Sequence, residues 1–98
     1  PMWLNKELFC RHLHHIDFSF APFQFADYEL CARAWLLGLQ VGWYDAKFKS
    51  LSVGGMRLWN GSFTQEQTQR NGKRLYAMYA DKIEEIRKKV EACNALEA

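Results

Sequence analysis

Two acidic residues stand one position apart in the stretch ADYELCARAWLLG, at the head of an apolar segment. A helix start needs one acidic residue at most, and Asp27 and Glu29 supply two carboxylates. Three aromatic residues lie beside them: Phe23, Phe25 and Tyr28. Such a set suits sugar binding, because rings pack on the apolar face of a sugar and carboxylates bind its hydroxyls. Asp27, at the exposed end of a helix, could also act as a general base toward a hydroxyl.

A purely structural interpretation explains the same two acids. Asp27 would be the N-cap residue that accepts a backbone N–H of the first helical turn. Glu29 would form an ion pair with Arg33, four residues later on the same helix face. This interpretation leaves the aromatic residues unexplained, and the residue pattern keeps both interpretations open.

Three histidines form the second cluster with chemical potential. His12 and His15 are spaced to share one face of a helix, with His14 between them. Asp17 is the nearby acid, and no recognised metal-ligand spacing is completed. We expect partly exposed histidines here, and a small metal-binding or sensor domain remains a rival hypothesis.

Length and composition describe a single folded unit. The chain has 98 residues, of which 49% are hydrophobic and 15% aromatic, so it is long enough for one domain and too apolar for a disordered segment. Its net charge of +2 gives no electrostatic reason to expect nucleic acid as a partner. No apolar run reaches the length of a transmembrane segment. The three cysteines are odd in number and far apart, which indicates reduced thiols and a cytoplasmic protein.

The pattern along the chain predicts an α+β fold. Asn5 can cap a short helix over residues 6–15, and an aromatic loop over residues 16–25 follows it. A helix from Asp27 ends at Gly38, a good C′ residue, and the alternation in LQVGWY and KFKSLSV predicts a strand and then a β-ribbon.

A long amphipathic helix is predicted at the C-terminus. Capping-box spacings place its start near residues 62–64, and it should run to about Asn94. Asn71-Gly72 interrupts its first turns and is expected to divide it. One stripe at helical spacing predicts the buried face of this helix: Tyr79, Ile83, Ile86, Val90 and Cys93.

The segment FSFAPFQFADYELCARAWLLGLQVGWYDA resembles the C-terminal part of the catalytic domain of family 2 glycosyltransferases, nucleotide-sugar enzymes of the GT-A type. That family has an aromatic loop, then Glu-Asp-x-Asp-Leu-x-x-Arg opening a helix, then a glycine turn into a strand. Four residues match the acids, leucine and arginine of the motif: Asp27, Glu29, Leu30 and Arg33. SVGG and RNGKRLYAMYADKI resemble the later Gly-Gly segment and the terminal helix. Ala26 replaces the usual glutamate, and a D-x-D motif is missing.

The resemblance implies that residues 1–98 are the acceptor-side portion of a partial GT-A domain, cut from a longer glycosyltransferase. The parent enzyme would transfer a sugar from a nucleotide-sugar donor to a saccharide or lipid-linked hydroxyl in cell-surface glycan synthesis. Asp27 would be the catalytic base, supported by Glu29, Arg33 and the rings. The parent would need Mg²⁺ or Mn²⁺. The chain alone, without the nucleotide-binding half, would be inactive and hold no metal.

Partners follow from the same hypothesis. A sugar acceptor would bind the chain, whereas a nucleotide sugar would bind only together with the missing half. The parent would work in the cytoplasm, at the inner face of a membrane. Apolar surface left without its other half would favour self-association through the stripe at 79–93 or the region of Trp59. The alternative function is a non-enzymatic protein-interaction module that uses the C-terminal helix.

Overall fold

The computed structural model describes residues 2–21, 24–42, 47, 49 and 61–97. Every regular element among them is helical: α1 (Lys6–Leu8) with a π-helical turn (Phe9–Leu13), a 3-10 turn (Phe18–Phe20), α2 (Ala26–Leu36), α3 (Gly61–Tyr79) and α4 (Ile83–Glu97). The predicted α+β fold, with its β-ribbon and partial GT-A architecture, is therefore wrong, because the described residues form helices and no strand.

Within the described residues the apolar core is small and lies between the π-helical turn and α2. Its buried members are Leu13, Leu30 and Ala34, and the partly buried residues packed against them are Phe9, Leu39 and Val41. Each large apolar side chain buried in this way contributes roughly 2 kcal/mol to the free energy of unfolding. With so few of them, polar contacts have an unusually large share in fixing the arrangement of the helices.

The alternation after α2 has a cause other than strand pairing. Leu39 and Val41 point toward the helical core, while Gln40 and Gly42 are exposed. When an extended, irregular segment lies with one side against a helical core, apolar and polar residues alternate along it as they do in a half-buried strand. Of the second predicted segment, the described residues 47 and 49 are exposed and not in a strand. The rest of the ribbon and Trp59 lie outside the described residues.

The first helix begins where the sequence predicts. The Asn5 Oδ1 accepts the backbone N–H of Leu8 at 3.1 Å, which makes Asn5 the N-cap. The helix is shorter than predicted, because the π-helical turn ends at Leu13 and His14 takes a positive φ of 68°. The expected loop that follows contains a 3-10 turn, capped by Asp17 through a 2.9 Å hydrogen bond from the Ser19 N–H.

Helix α2 ends as predicted and begins differently. Gly38 has a φ of 84°, and its N–H donates to the Trp35 carbonyl, while the Leu39 N–H donates to the Ala34 carbonyl. These two bonds form a Schellman motif, the helix end that favours glycine at C′. At the other end Phe25, not Asp27, is the N-cap residue, and it has a φ of 77° with no side-chain capping bond. The predicted N-cap role of Asp27 is therefore wrong.

The C-terminal region forms two helices, and the break is not at the predicted position. Helix α3 runs without interruption through Asn71 and Gly72, and a turn over residues 80–82 separates it from α4. Helix α4 packs against α2, and four of its residues at helical spacing are half-buried: Ile86, Lys89, Val90 and Cys93. The predicted stripe thus faces the chain's own helix over most of its length, although Ile83 is 49% exposed.

None of the helices described has both the length and the apolar character needed to cross a membrane.

Two glycines should respond oppositely to alanine substitution. Gly38→Ala puts a side chain at a positive φ and should lower the free energy of unfolding by about 1 kcal/mol. Gly72→Ala should raise it by up to about 1 kcal/mol, because Gly72 lies inside α3 and a new Cβ would meet the Phe25 ring at an ordinary 3.6 Å. Urea unfolding followed by circular dichroism measures both changes. A Gly38→Ala variant as stable as the parent would contradict the Schellman assignment.

Candidate functional site

The two acids at the start of α2 have separate environments. Residues two apart on a helix point about 200° apart, so Asp27 and Glu29 face opposite sides of α2. Glu29 is only 2% exposed, whereas Asp27 is exposed. One carboxylate therefore belongs to the interior and the other to the surface, which answers why the helix start carries two acids.

The Glu29 carboxylate lies in a network of charged hydrogen bonds. Its Oε1 accepts the Arg33 Nε–H at 3.0 Å and the Tyr79 hydroxyl at 2.7 Å, and its Oε2 accepts an Arg33 Nη2–H at 3.1 Å. The predicted ion pair with Arg33 is confirmed and is bidentate, a geometry that strengthens such pairs. The contact with Tyr79 joins α2 to the last residue of α3.

Arg33 also connects α2 to the N-terminal segment. Its Nη1 donates to the Leu13 carbonyl at 2.6 Å and its Nη2 to the His15 carbonyl at 2.8 Å. Leu13 is the last residue of the π-helical turn and its carbonyl also accepts the His15 N–H at 2.8 Å, while His15 lies just beyond that turn. The guanidinium therefore binds backbone and carboxylate together, which its five N–H donors in a planar fork make possible.

The Tyr79 hydroxyl responds to this environment. Burial, the hydrogen bond to Glu29 and the negative charge of that carboxylate together raise the pKa of Tyr79 well above its ordinary value. Each of these effects disfavours a phenolate, since a second negative charge would stand beside the first. Tyr79 therefore donates its proton to Glu29 throughout the neutral and mildly alkaline range.

Asp27 presents its carboxylate on the outer side of α2. Its Oδ1 accepts the N–H of Tyr28 at 3.0 Å, which fixes the side chain while a second oxygen stays available. The rings of Phe25, two residues earlier, and of Tyr28, the next residue, contact each other with centroids 5.5 Å apart and planes tilted by 38°, and Tyr28 is 61% exposed. Phe23 lies outside the described residues. The structure thus brings the Phe25 and Tyr28 rings together and leaves Asp27 exposed, whereas Glu29 is buried and paired with Arg33.

Cys31 lies one turn after Asp27 on the same side of α2. Partial burial raises the pKa of its thiol, and the Asp27 carboxylate raises it further. The Asp27 carboxylate therefore acts electrostatically on the Cys31 thiol, one turn further along the same side of the helix.

Helix α3 fixes the aromatic loop that leads into α2. The buried Asn71 donates its Nδ2–H to the carbonyls of Phe20 at 2.8 Å and Gln24 at 3.0 Å. The Arg70 Nη2 donates to the Ala21 carbonyl at 2.9 Å, and the Gln24 side chain donates to the Thr68 hydroxyl at 2.9 Å. These contacts were not predicted. An asparagine followed by glycine inside a helix is a poor helix former, and that is the one sequence signal that could have indicated a special role.

The turn before this loop has its own electrostatic support. Hydrogen bonds from the Ser19 side chain and backbone hold the pKa of Asp17 below its usual value, and Arg74 adds to the effect. The Arg74 guanidinium lies 5.7 Å from the centroid of the fully buried Phe20 ring. Such a cation–π contact is worth about 1 kcal/mol.

The histidine cluster does not assemble into a site. His12, His14 and His15 are all exposed. Across the described part of the chain, no three side chains of the His, Cys, Asp or Glu type come together in a way that could hold a metal ion.

Comparison with known proteins adds no relative: no protein-family model, no curated protein and no solved structure matches this chain.

Removing the charge of Glu29 should be costly. Glu29→Gln leaves the largely buried Arg33 guanidinium without its counter-ion and should lower the free energy of unfolding by about 3 kcal/mol. Glu7→Gln is the matched control, because Glu7 and Arg11 form a pair with the same spacing on the surface. That substitution should cost no more than about 0.5 kcal/mol. Equal costs for the two variants in urea unfolding would contradict the buried network.

Alkaline pH should weaken the same network. The folded chain keeps Tyr79 protonated, whereas a tyrosine in the unfolded chain ionises near pH 10. Because the folded pKa is the higher one, the stabilisation is complete below about pH 10 and is lost as the pH rises further. The free energy of unfolding of the parent minus that of Tyr79→Phe should therefore decrease between pH 9 and pH 11. A constant difference over that range would count against the Tyr79–Glu29 hydrogen bond.

Proposed function

We propose that this chain is the acceptor-side portion of a glycosyltransferase. The parent enzyme would move a sugar from a nucleotide-sugar donor to a saccharide or lipid-linked hydroxyl, in the synthesis of cell-surface glycans. One observation carries the proposal: Asp27 is exposed and adjoins in sequence an exposed Tyr28 whose ring contacts that of Phe25, while the acid Glu29 is buried and hydrogen-bonded in the interior. The resemblance of this segment to family 2 glycosyltransferases supports the same conclusion.

The chemistry required of Asp27 is proton removal. In the proposed reaction an acceptor hydroxyl attacks the anomeric carbon of the donor sugar, the bond to the nucleotide diphosphate breaks, and Asp27 takes the hydroxyl proton. A carboxylate is suited to this because its hydrogen bond from the Tyr28 N–H fixes one oxygen and leaves the other for the acceptor. The Tyr28 ring would lie against the apolar face of the acceptor sugar and orient it.

The donor and its divalent cation have no binding residues in this proposal. Mg²⁺ or Mn²⁺ in such enzymes is bound by carboxylates and phosphate oxygens. The described residues offer no cluster of that kind, so they do not fit the cation. We therefore assign the nucleotide diphosphate and its cation to another part of the parent protein, and we expect the chain alone to bind an acceptor without transferring sugar.

Location and partners follow the same proposal. Cys10, Cys31 and Cys93 are all unbridged, which supports a reducing compartment such as the cytoplasm. A lipid-linked acceptor would bring the parent enzyme to the inner face of a membrane. Self-association belongs to the proposal as well, because apolar side chains that are exposed here would be covered in a larger assembly.

A second function has one observation in its favour. Ile83 at the start of α4 is 49% exposed and Leu96 near its end is 83% exposed. Apolar side chains at both ends of a helix suit a protein-interaction module in which α4 contacts a partner. The two functions differ in where a ligand binds, and the experiment below separates them.

Saccharide binding to the isolated chain tests the proposed function. Titration with hexose and N-acetylhexosamine disaccharides at millimolar concentration should shift the amide NMR signals of Asp27 and Tyr28. Tyr28→Leu should weaken binding about tenfold, because the exposed ring is lost. Tyr76→Leu is the control, since Tyr76 is similarly exposed, at 68%, on α3. In a transfer-competent parent protein, Asp27→Asn should lower kcat by a factor of about 10² to 10⁴.

Three outcomes would count against the glycosyltransferase proposal. The first is no saccharide shift at Asp27 or Tyr28, the second is equal weakening by Tyr28→Leu and Tyr76→Leu, and the third is near-normal transfer by Asp27→Asn. Absent saccharide binding would favour the interaction module. Asp81→Asn, in the turn between α3 and α4, provides the matched control for loss of an exposed aspartate charge.

A further inference from the structure

Helices α3 and α4 together hold α2 at two separate points. Tyr79, the last residue of α3, donates its hydroxyl proton to Glu29 in the first turn of α2. Lys89 on α4 donates from its Nζ to the carbonyl of Leu36, the last residue of α2, at 3.1 Å. The turn between the two helices is closed by a bond from the Lys82 N–H to the Tyr79 carbonyl at 2.9 Å. Seven residues separate the two points on α2, or roughly 10 Å along its axis.

The beginning of α2 needs such external support. Its N-cap, Phe25, has a positive φ and makes no side-chain capping bond, so the N-cap residue itself gives the first turn none of the usual stabilisation by a side-chain oxygen, and the Asp27 Oδ1 accepts the Tyr28 N–H instead. The bidentate pair of Glu29 with Arg33 lies within α2 and moves with it. Tyr79 on α3 donates a hydrogen bond directly to the Glu29 carboxylate and so connects α3 to the first turn of α2.

We infer that Tyr79 is a positioning residue for the proposed sugar transfer: its hydroxyl, through Glu29, fixes the first turn of α2 and so aims Asp27 at the acceptor hydroxyl. This inference rests on the proposed function, and its structural half can be tested without it. Asp27 is two residues before Glu29, so a shift of the Glu29 carboxylate displaces the backbone that carries Asp27. A displacement of about 1 Å at a reacting group can cost two orders of magnitude in rate.

Three variants isolate the effect of the Tyr79 hydroxyl. Tyr79→Phe removes only the oxygen that bonds to Glu29. Tyr76→Phe removes the same group from an exposed position one turn earlier on α3. Lys89→Met removes the contact at the far end of α2 and keeps the one near Asp27. All three keep the size and helix preference of the side chain, so the fold should be retained.

Amide hydrogen exchange gives the readout that does not depend on activity. In Tyr79→Phe the amides of Glu29 and Leu30, in the first turns of α2, should accelerate about tenfold more than the amide of Val90 in α4, whose exchange reports the change in overall stability. Tyr76→Phe and Lys89→Met should leave the Glu29 and Leu30 amides unchanged. Uniform acceleration of all three amides in Tyr79→Phe would mean a general loss of stability and would overturn the inference. Exchange identical to that of Tyr76→Phe would overturn it as well.

Kinetics of a transfer-competent parent protein supply the second readout. Tyr79→Phe should lower kcat about tenfold, because proton removal requires the Asp27 carboxylate to be correctly oriented. The acceptor KM should stay unchanged, because the aromatic rings bind the acceptor. A raised KM with normal kcat would contradict a positioning role. If the parent transfers no sugar and the chain binds no disaccharide, the proposed function fails, while the exchange experiment still decides whether Tyr79 fixes the start of α2.

Discussion

The arrangement of the helices depends on one buried carboxylate. Glu29 is 2% exposed, and Arg33 and Tyr79 provide three hydrogen bonds to its two oxygens. Taking such a charge out of water costs several kcal/mol, and the cost is offset only by near-complete pairing. The network therefore specifies which segments surround α2: the end of the π-helical turn and the residues just after it, through the Leu13 and His15 carbonyls bound by Arg33, and the end of α3 through Tyr79. Because the apolar core formed by the described residues is small, these polar contacts have a large share in deciding the packing.

The sequence predicted features that are local and missed those that are set by distant partners. The N-cap at Asn5, the Schellman glycine at Gly38 and the Glu29–Arg33 pair were predicted correctly, since each depends on residues at most four positions apart. The β-ribbon was wrong because one-sided contact of Leu39 and Val41 with helices imitates a strand pattern. Asp27 failed as the N-cap because Phe25 adopts a left-handed conformation and starts the helix earlier.

The candidate site shows the same division. Spacing predicted the pair of Glu29 with Arg33, which the structure confirms, whereas a free carboxylate at Asp27 was implied only by the family resemblance. The role of α3 was not visible in the sequence. Asn71 and Tyr79 reach partners roughly 50 positions away, and no periodicity relates a side chain to a backbone carbonyl at such a distance. Asn71 has a low helix propensity and was therefore predicted to break the helix. It lies inside α3 because its buried side-chain amide donates hydrogen bonds to carbonyls of the loop before α2.

The two faces of α2 have consequences for how such a protein could diversify. The inner face of α2 carries side chains that are buried or hydrogen-bonded to buried groups, at positions 29, 30, 33 and 34. The side chains at positions 27 and 28 are exposed. Substitutions on the outer face can therefore change the surface of the protein while the free energy of unfolding stays nearly constant. In this helix the residues that maintain the fold and the residues that are free to change are direct neighbours within one turn.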